Sequence, residues 1–223
     1  MSTSEDLSNW YFRLNGFLTT PNFILHPPNR GSQRTDADVV GIRFPFRNEF
    51  PMYKADDPKL RCSPTKPSLV IVEVKTHEID LNQTWASPSR KNIDKIITDL
   101  RILRSEDKIT EISESLYNSG QFDGEPYYWS FVFVGNVDTG KAPARYGSVP
   151  RIFWSEICNF IHQRIRTFAK MKADHSQWDS LGKALYKLAE QFADRDEFEK
   201  QVRQFCKLPA TQRAAGRIDS LGG

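Results

Sequence analysis

The chain has 223 residues, 39% hydrophobic and 26% charged. That allows one sizeable domain, or a core with an extension, and excludes a disordered polyelectrolyte. The net charge of +3 permits a polyanionic partner without demanding one.

Cys62, Cys158 and Cys206 are odd in number and far apart. They give no disulfide framework and no zinc ligand pair, so a reducing compartment is the natural reading. Met1 to Asp6 has no basic region followed by an apolar run, and no apolar stretch is long enough to span a bilayer. A cytoplasmic protein is expected.

Ser4 is a candidate N-cap, with Glu5 and Asp6 in the first turn where they suit the helix dipole. Leu7, Trp10, Tyr11, Leu14, Phe17 and Leu18 recur at helical spacing, which predicts a helix from about Glu5 to Leu18. Phe23 to His26 reads as a short strand. Thr35 to Phe44 is β-branched and alternating, so it reads as a second strand. Phe46 to Pro67 carries four prolines and reads as a long loop or flap. Ser68 to Thr76 reads as a buried central strand ending in Glu73, Val74 and Lys75.

Ser87-Pro88 suggests an N-cap followed by proline at the first helical position. Ile93, Ile96, Ile97, Leu100 and Leu103 give that helix an apolar face, and Arg90, Lys91, Lys95, Arg101 and Arg104 a basic one. A short acidic helix is expected before Asn118, and Tyr127 to Val134 is a strong strand. From Ser155 onward three apolar stripes are helical, and Ala210 to Gly223 reads as a flexible tail. The order predicts an α/β protein: a core over 1–150, a helical extension over 151–209 and the tail over 210–223.

Successive side chains of a strand face opposite ways. Asp36 and Asp38 therefore share one face, as do Glu73 and Lys75. A buried strand should not end in two charges unless they are paired or bind a metal. If the two strands are neighbours, the acids and the lysine converge. Hard cations such as Mg²⁺ prefer carboxylate oxygens, and such an ion acidifies bound water and offsets charge on a phosphate. A lysine beside it orients water or offsets further charge.

Thr35-Asp36-Ala37-Asp38-Val39-Val40-Gly41, followed by Val70-Ile71-Val72-Glu73-Val74-Lys75, resembles the PD-(D/E)XK nuclease superfamily, the restriction-endonuclease-like fold. The resemblance covers about Glu5 to Asn136, a helix, three strands, a helix and a strand (αβββαβ). It implies Asp38 and Glu73 as metal ligands, Lys75 as the catalytic lysine, Asp36 as an auxiliary ligand and the Val74 carbonyl as a main-chain contact. It implies Mg²⁺, with Mn²⁺ as a substitute, and a nuclease acting on DNA, with RNA left open. The family's first helix often adds a further acid, for which Glu5 and Asp6 are available.

Arg34, His77, Arg90, Lys91 and Lys95 are candidates for phosphate contacts. The plain alternative for each is a solvated surface residue. Arg164, Arg166, Lys170 and Lys172 form a second basic cluster with the same two readings. Gly135 to Lys141 matches most of a phosphate-binding loop, but Ala142 lacks the needed hydroxyl and Pro143 opposes the helix, so an exposed turn is expected. The stripe Trp178, Leu181, Leu185, Leu188 and Phe192 packs on the core or forms a homodimer interface. Two further readings stand beside the nuclease: a nuclease-fold nucleic-acid-binding or regulatory module that does not cut, and a structural interaction domain.

Overall fold

The computed structural model describes residues 3–25, 35–46, 56–81, 85, 87–172 and 178–210. The first helix, α1 (Ser4–Leu14), starts one residue earlier than the spacing predicts, because Thr3 and Asp6 form a reciprocal capping box. It also ends earlier. Asn15 caps it, and Gly16, at φ 85°, turns the chain so that Leu18 opens a strand. That strand, β1 (Leu18–Leu25), pairs antiparallel with β2 (Thr35–Arg43).

The central strand β3 (Ser68–Val74) is buried along its whole length. It pairs antiparallel with β2 and parallel with β6 (Tyr128–Gly135). A strand covered on both faces reads as an unbroken apolar run, which is why Leu69 to Val72 does not alternate. The six-stranded sheet runs β1-β2-β3-β6-β5, with β5 (Gln121–Asp123) on one half of β6 and β8 (Arg151–Phe153) on the other. A second, two-stranded sheet joins β4 (Glu78–Ile79) to β7 (Val137–Asp138). The architecture is a mixed α/β sheet with helices on both faces.

Leu69 and Ile71 face a cluster with Ile93, Ile96 and Ile97 of α2 (Asn92–Asp99) and Ile112 and Leu116 of α3 (Glu106–Ser119). Val70, Val72 and Val74 face the other cluster. It holds α1, Trp154 to Ile165 of α4 (Trp154–Thr167), and residues of α6 (Ser180–Gln191) and α7 (Arg195–Phe205). A four-residue helix, α5 (Ala169–Lys172), follows α4. Leu181 and Leu185 of the near-heptad stripe are buried within that second cluster.

The basic helix is shorter than its periodicity predicts. Pro88–Arg90 forms a tight turn, and Lys91 and Arg101, both left-handed, bound α2. Arg90 and Lys91 therefore precede the helix and Arg101 and Arg104 follow it. Among the described residues, no helix is long and apolar enough to cross a membrane.

Candidate functional site

The site lies at one end of the sheet, where β2 and β3 separate. Their pairing runs from Arg43 and Ser68 to Val39 and Val72. Extending that register by one residue sets Asp38 opposite Glu73, so both carboxylates leave the same face. Beyond that point the Val74 N–H donates to Asp38 Oδ2 at 2.6 Å. Lys75 Nζ donates to Glu73 Oε1 at 2.6 Å. Glu73 is 8% exposed, deep for a carboxylate, while the Lys75 side chain is about a third exposed.

Burial pushes the Asp38 carboxyl up to about 7. The Val74 hydrogen bond opposes that rise, and the charges of Glu73 and Glu5 add to it. Glu5 thus exerts its field on Asp38 from α1, while Asp6 is occupied in the capping box with Thr3. Burial works against the Lys75 charge, but the hydrogen bond and charge of Glu73, with Asp38 and Asp80 beyond, outweigh it. They hold the ammonium above the ordinary lysine value. Lys75 is therefore a cation at neutral pH.

The segment that follows is braced from several elements. The Lys75 N–H donates to the Val134 carbonyl of β6 at 2.9 Å. The Thr76 carbonyl accepts from Trp154 Nε1 of α4 at 3.0 Å, and the Thr76 hydroxyl lies 3.3 Å from that of Ser4 in α1. The His77 carbonyl accepts from the Asn136 N–H at 2.6 Å. The ring of His77 itself is exposed.

The other candidates divide. Arg34 and the side chain of Asp36 lie outside the described residues, although the Asp36 backbone pairs with Ile24. Arg90 and Lys91 are exposed, and Lys95 Nζ turns back to the Arg90 carbonyl at 3.1 Å. Arg164 is not a surface residue. It is 4% exposed, donates to the Leu14 carbonyl at 2.6 Å and lies over Phe160 and Phe168. Arg166 donates to the Ala189 carbonyl at 3.1 Å, while the side chain of Lys172 lies outside the described residues.

The stretch from Gly135 to Lys141 is a turn carrying β7, followed by a short 3₁₀ turn and then β8, so the helix N-terminus that a phosphate-binding loop uses does not follow it. Asp138 Oδ1 accepts from the Gly140 N–H, and Lys141 pairs with Glu78.

Sequence reasoning missed Trp154, Asn136 and Asp80. Trp154 and Asn136 act on a strand end far away in sequence, while Asp80 acts through its charge on Lys75 from just past the end of β3. A cavity of about 470 Å³ lies elsewhere, between Asp56–Lys59 and α4, and none of Asp38, Glu73 and Lys75 lines it. Among the described residues, no group of three or more His, Cys, Asp or Glu side chains is arranged to hold a metal. No protein family, curated protein or solved structure matches this chain.

Proposed function

We propose that this chain is a Mg²⁺-dependent nuclease that hydrolyses phosphodiester bonds in DNA, on a restriction-endonuclease-like version of the mixed α/β sheet. One observation carries the reading: Asp38 and Glu73 meet at the parting ends of adjacent strands, with the Lys75 ammonium 2.6 Å from Glu73. The chain order α1, β1, β2, β3, β4, α2, α3, β5, β6 contains the helix, three strands, helix and strand that the resemblance implies, with β4, α3 and β5 as additions, and this supports it.

The residues fit a hard divalent cation. Two carboxylates from neighbouring strands share one face, Glu73 among them largely buried, and their oxygens are the ligand type such a cation prefers. Asp38, Glu73 and the Val74 carbonyl would hold the ion, with waters completing its shell and Asp36 as the auxiliary ligand that the resemblance implies. An ion held there supplies Lewis acidity and a more acidic water.

The chain's own groups have distinct work. Lys75, whose ammonium Glu73 holds, is suited to position or activate a water or to neutralise a phosphate oxygen. Glu73 fixes the ammonium by the hydrogen bond at its Oε1. Val74 fixes Asp38 through its N–H, so both acids keep their spacing before substrate arrives.

The test uses labelled single-stranded, duplex and branched DNA, with an RNA control, in Mg²⁺, Mn²⁺ or EDTA. Metal-dependent cleavage is expected from the wild type and is expected to vanish in Glu73→Ala and Lys75→Ala. Binding without cleavage would overturn the enzyme in favour of a silent nuclease-fold module.

A further inference from the structure

We infer that Asn136 is a positioning residue for Lys75, held in place by Arg203 of α7; the inference rests on the proposed role of Lys75. Lys75 stands one residue past the end of β3, where a chain ordinarily frays. Its ammonium is aimed only as well as the peptide groups from Lys75 to His77 are fixed. Asn136 supplies the outermost of those fixings, with its N–H 2.6 Å from the His77 carbonyl and the Val137 N–H at 3.4 Å behind it.

The Asn136 side chain is itself clamped. Its Oδ1 accepts from Arg203 Nη1 at 2.9 Å, and its Nδ2 donates to the Ala210 carbonyl at 3.4 Å. The same Arg203 Nη1 donates to the Pro209 carbonyl at 2.5 Å, and Arg203 Nε donates to Glu199 Oε1 at 2.7 Å. Arg203 is 6% exposed and Glu199 8%. A buried planar guanidinium held on two sides is a rigid anchor, because its donors have a fixed geometry.

One line of contacts therefore runs from α7 through Arg203 and the Asn136 amide to the His77 carbonyl, two residues from Lys75. Gly135 makes the approach feasible. A Cβ there would lie 2.7 Å from Ile79 Cγ1 and 3.3 Å from the His77 carbonyl oxygen. The glycine-rich stretch that resembles a phosphate loop is thus a brace for the lysine, built to bring Asn136 against β4. It also makes α7 and the chain through Ala210 part of the site's support.

The experiment compares full-length wild type, Asn136→Ala, Asn136→Asp and Arg203→Lys. Residue-resolved amide exchange and metal-dependent cleavage of a labelled duplex are both measured. In Asn136→Ala and Arg203→Lys, exchange at the Lys75, Asn136 and Val137 amides should rise about tenfold, the size of one net hydrogen bond, with β3 unchanged. Turnover should fall about tenfold with KM unchanged, as expected when a transition-state contact is misplaced and ground-state binding is not. Asn136→Asp, which keeps the acceptor for Arg203, should restore most of both.

Unchanged exchange at those amides, or a rise spread evenly over the sheet, would overturn the inference. A local rise with unaltered turnover would overturn it too. A local rise in a protein whose wild type cuts nothing would sustain the brace and sink the nuclease reading instead.

Discussion

The backbone N–H of Val74 donates to Asp38 Oδ2 at 2.6 Å, which fastens the acid of β2 to the strand that carries Glu73 and Lys75. The bond favours the ionised carboxylate, yet burial and the nearby acids win, and the group sits at about 7 against an ordinary 3.8. The folded state therefore binds a proton that the unfolded state has released between about pH 4 and 7. Stability should fall as pH rises through that window and level off above it.

In EDTA at about pH 8, Asp38→Asn should thus be more stable than wild type. The full pKa shift would overstate the gain for a half-buried group. After discounting for solvent, the expectation is about 1–2 kcal/mol, or roughly 3–6 °C in Tm. Mg²⁺ should stabilise the wild type more at about pH 8 than at about pH 5, and should leave the variant nearly unmoved. Thermal unfolding across pH, with and without metal, checks all three. A variant no more stable than wild type at alkaline pH would contradict the assignment.

Glu5→Gln removes a like charge from the neighbourhood of Asp38 without touching its hydrogen bond. The Asp38 carboxyl should titrate lower in the variant, followed through its side-chain carbon resonance. Asp6→Asn should leave that titration alone and instead weaken the start of α1 by about 0.5–1 kcal/mol, because its carboxylate serves the capping box.

The Glu73–Lys75 pair should be coupled. Lys75→Met strips a hydrogen-bond donor from a carboxylate that is 8% exposed, and should cost about 1–3 kcal/mol. Glu73→Gln alone should cost less, since the ammonium still reaches water. The double variant should lose about 1 kcal/mol less than the sum of the singles in urea unfolding. Strict additivity would mean that the pair seen at 2.6 Å does not hold in solution.

How much of this was legible follows from which contacts are local. Ser68 to Lys75 announces itself, because a strand buried on both faces must be continuously apolar and its two terminal charges stand out. Asp38 depends on strand pairing, and the β2–β3 register supplies it. The end of the first helix is not legible, because Phe17 and Leu18 keep the helical spacing while the turn at Gly16 decides the matter. For Arg164 the sequence reveals only a charge, which suits a phosphate contact or a solvated face, whereas two phenyl rings and a backbone carbonyl accommodate it inside. Trp154 and Asn136 were invisible for a related reason. Their partners lie 78 residues from the first and, for Arg203, 67 from the second.

Trp154→Phe should report on the brace from the opposite face. The indole N–H is 3.0 Å from the Thr76 carbonyl, and the ring is fully buried. Phenylalanine keeps most of the apolar contact and leaves that carbonyl without its donor. A loss of about 1–3 kcal/mol is expected, combining the lost hydrogen bond with a small cavity. Urea unfolding followed by circular dichroism measures it. The same variant should cut DNA more slowly, with its DNA affinity kept.

Gly135→Ala is the sharpest steric test of the site's outer wall. The new methyl would fall 2.7 Å from Ile79 Cγ1, closer than real side chains approach, and 3.3 Å from both the His77 carbonyl oxygen and the Ile79 N–H nitrogen. Ile79 is fully buried and cannot swing away, so β4 itself must shift outward and draw His77 with it. The expected cost is about 1–3 kcal/mol of stability, the usual penalty for overpacking. Ile79→Ala removes Cγ1, the atom the new methyl would meet. Gly135→Ala should cost less on the Ile79→Ala background than in wild type if the clash at Ile79 is the cause, and as much if the backbone contact at His77 dominates. Cleavage measured alongside separates wall from machinery. If β4 positions Lys75, Gly135→Ala should also cost less activity on that background.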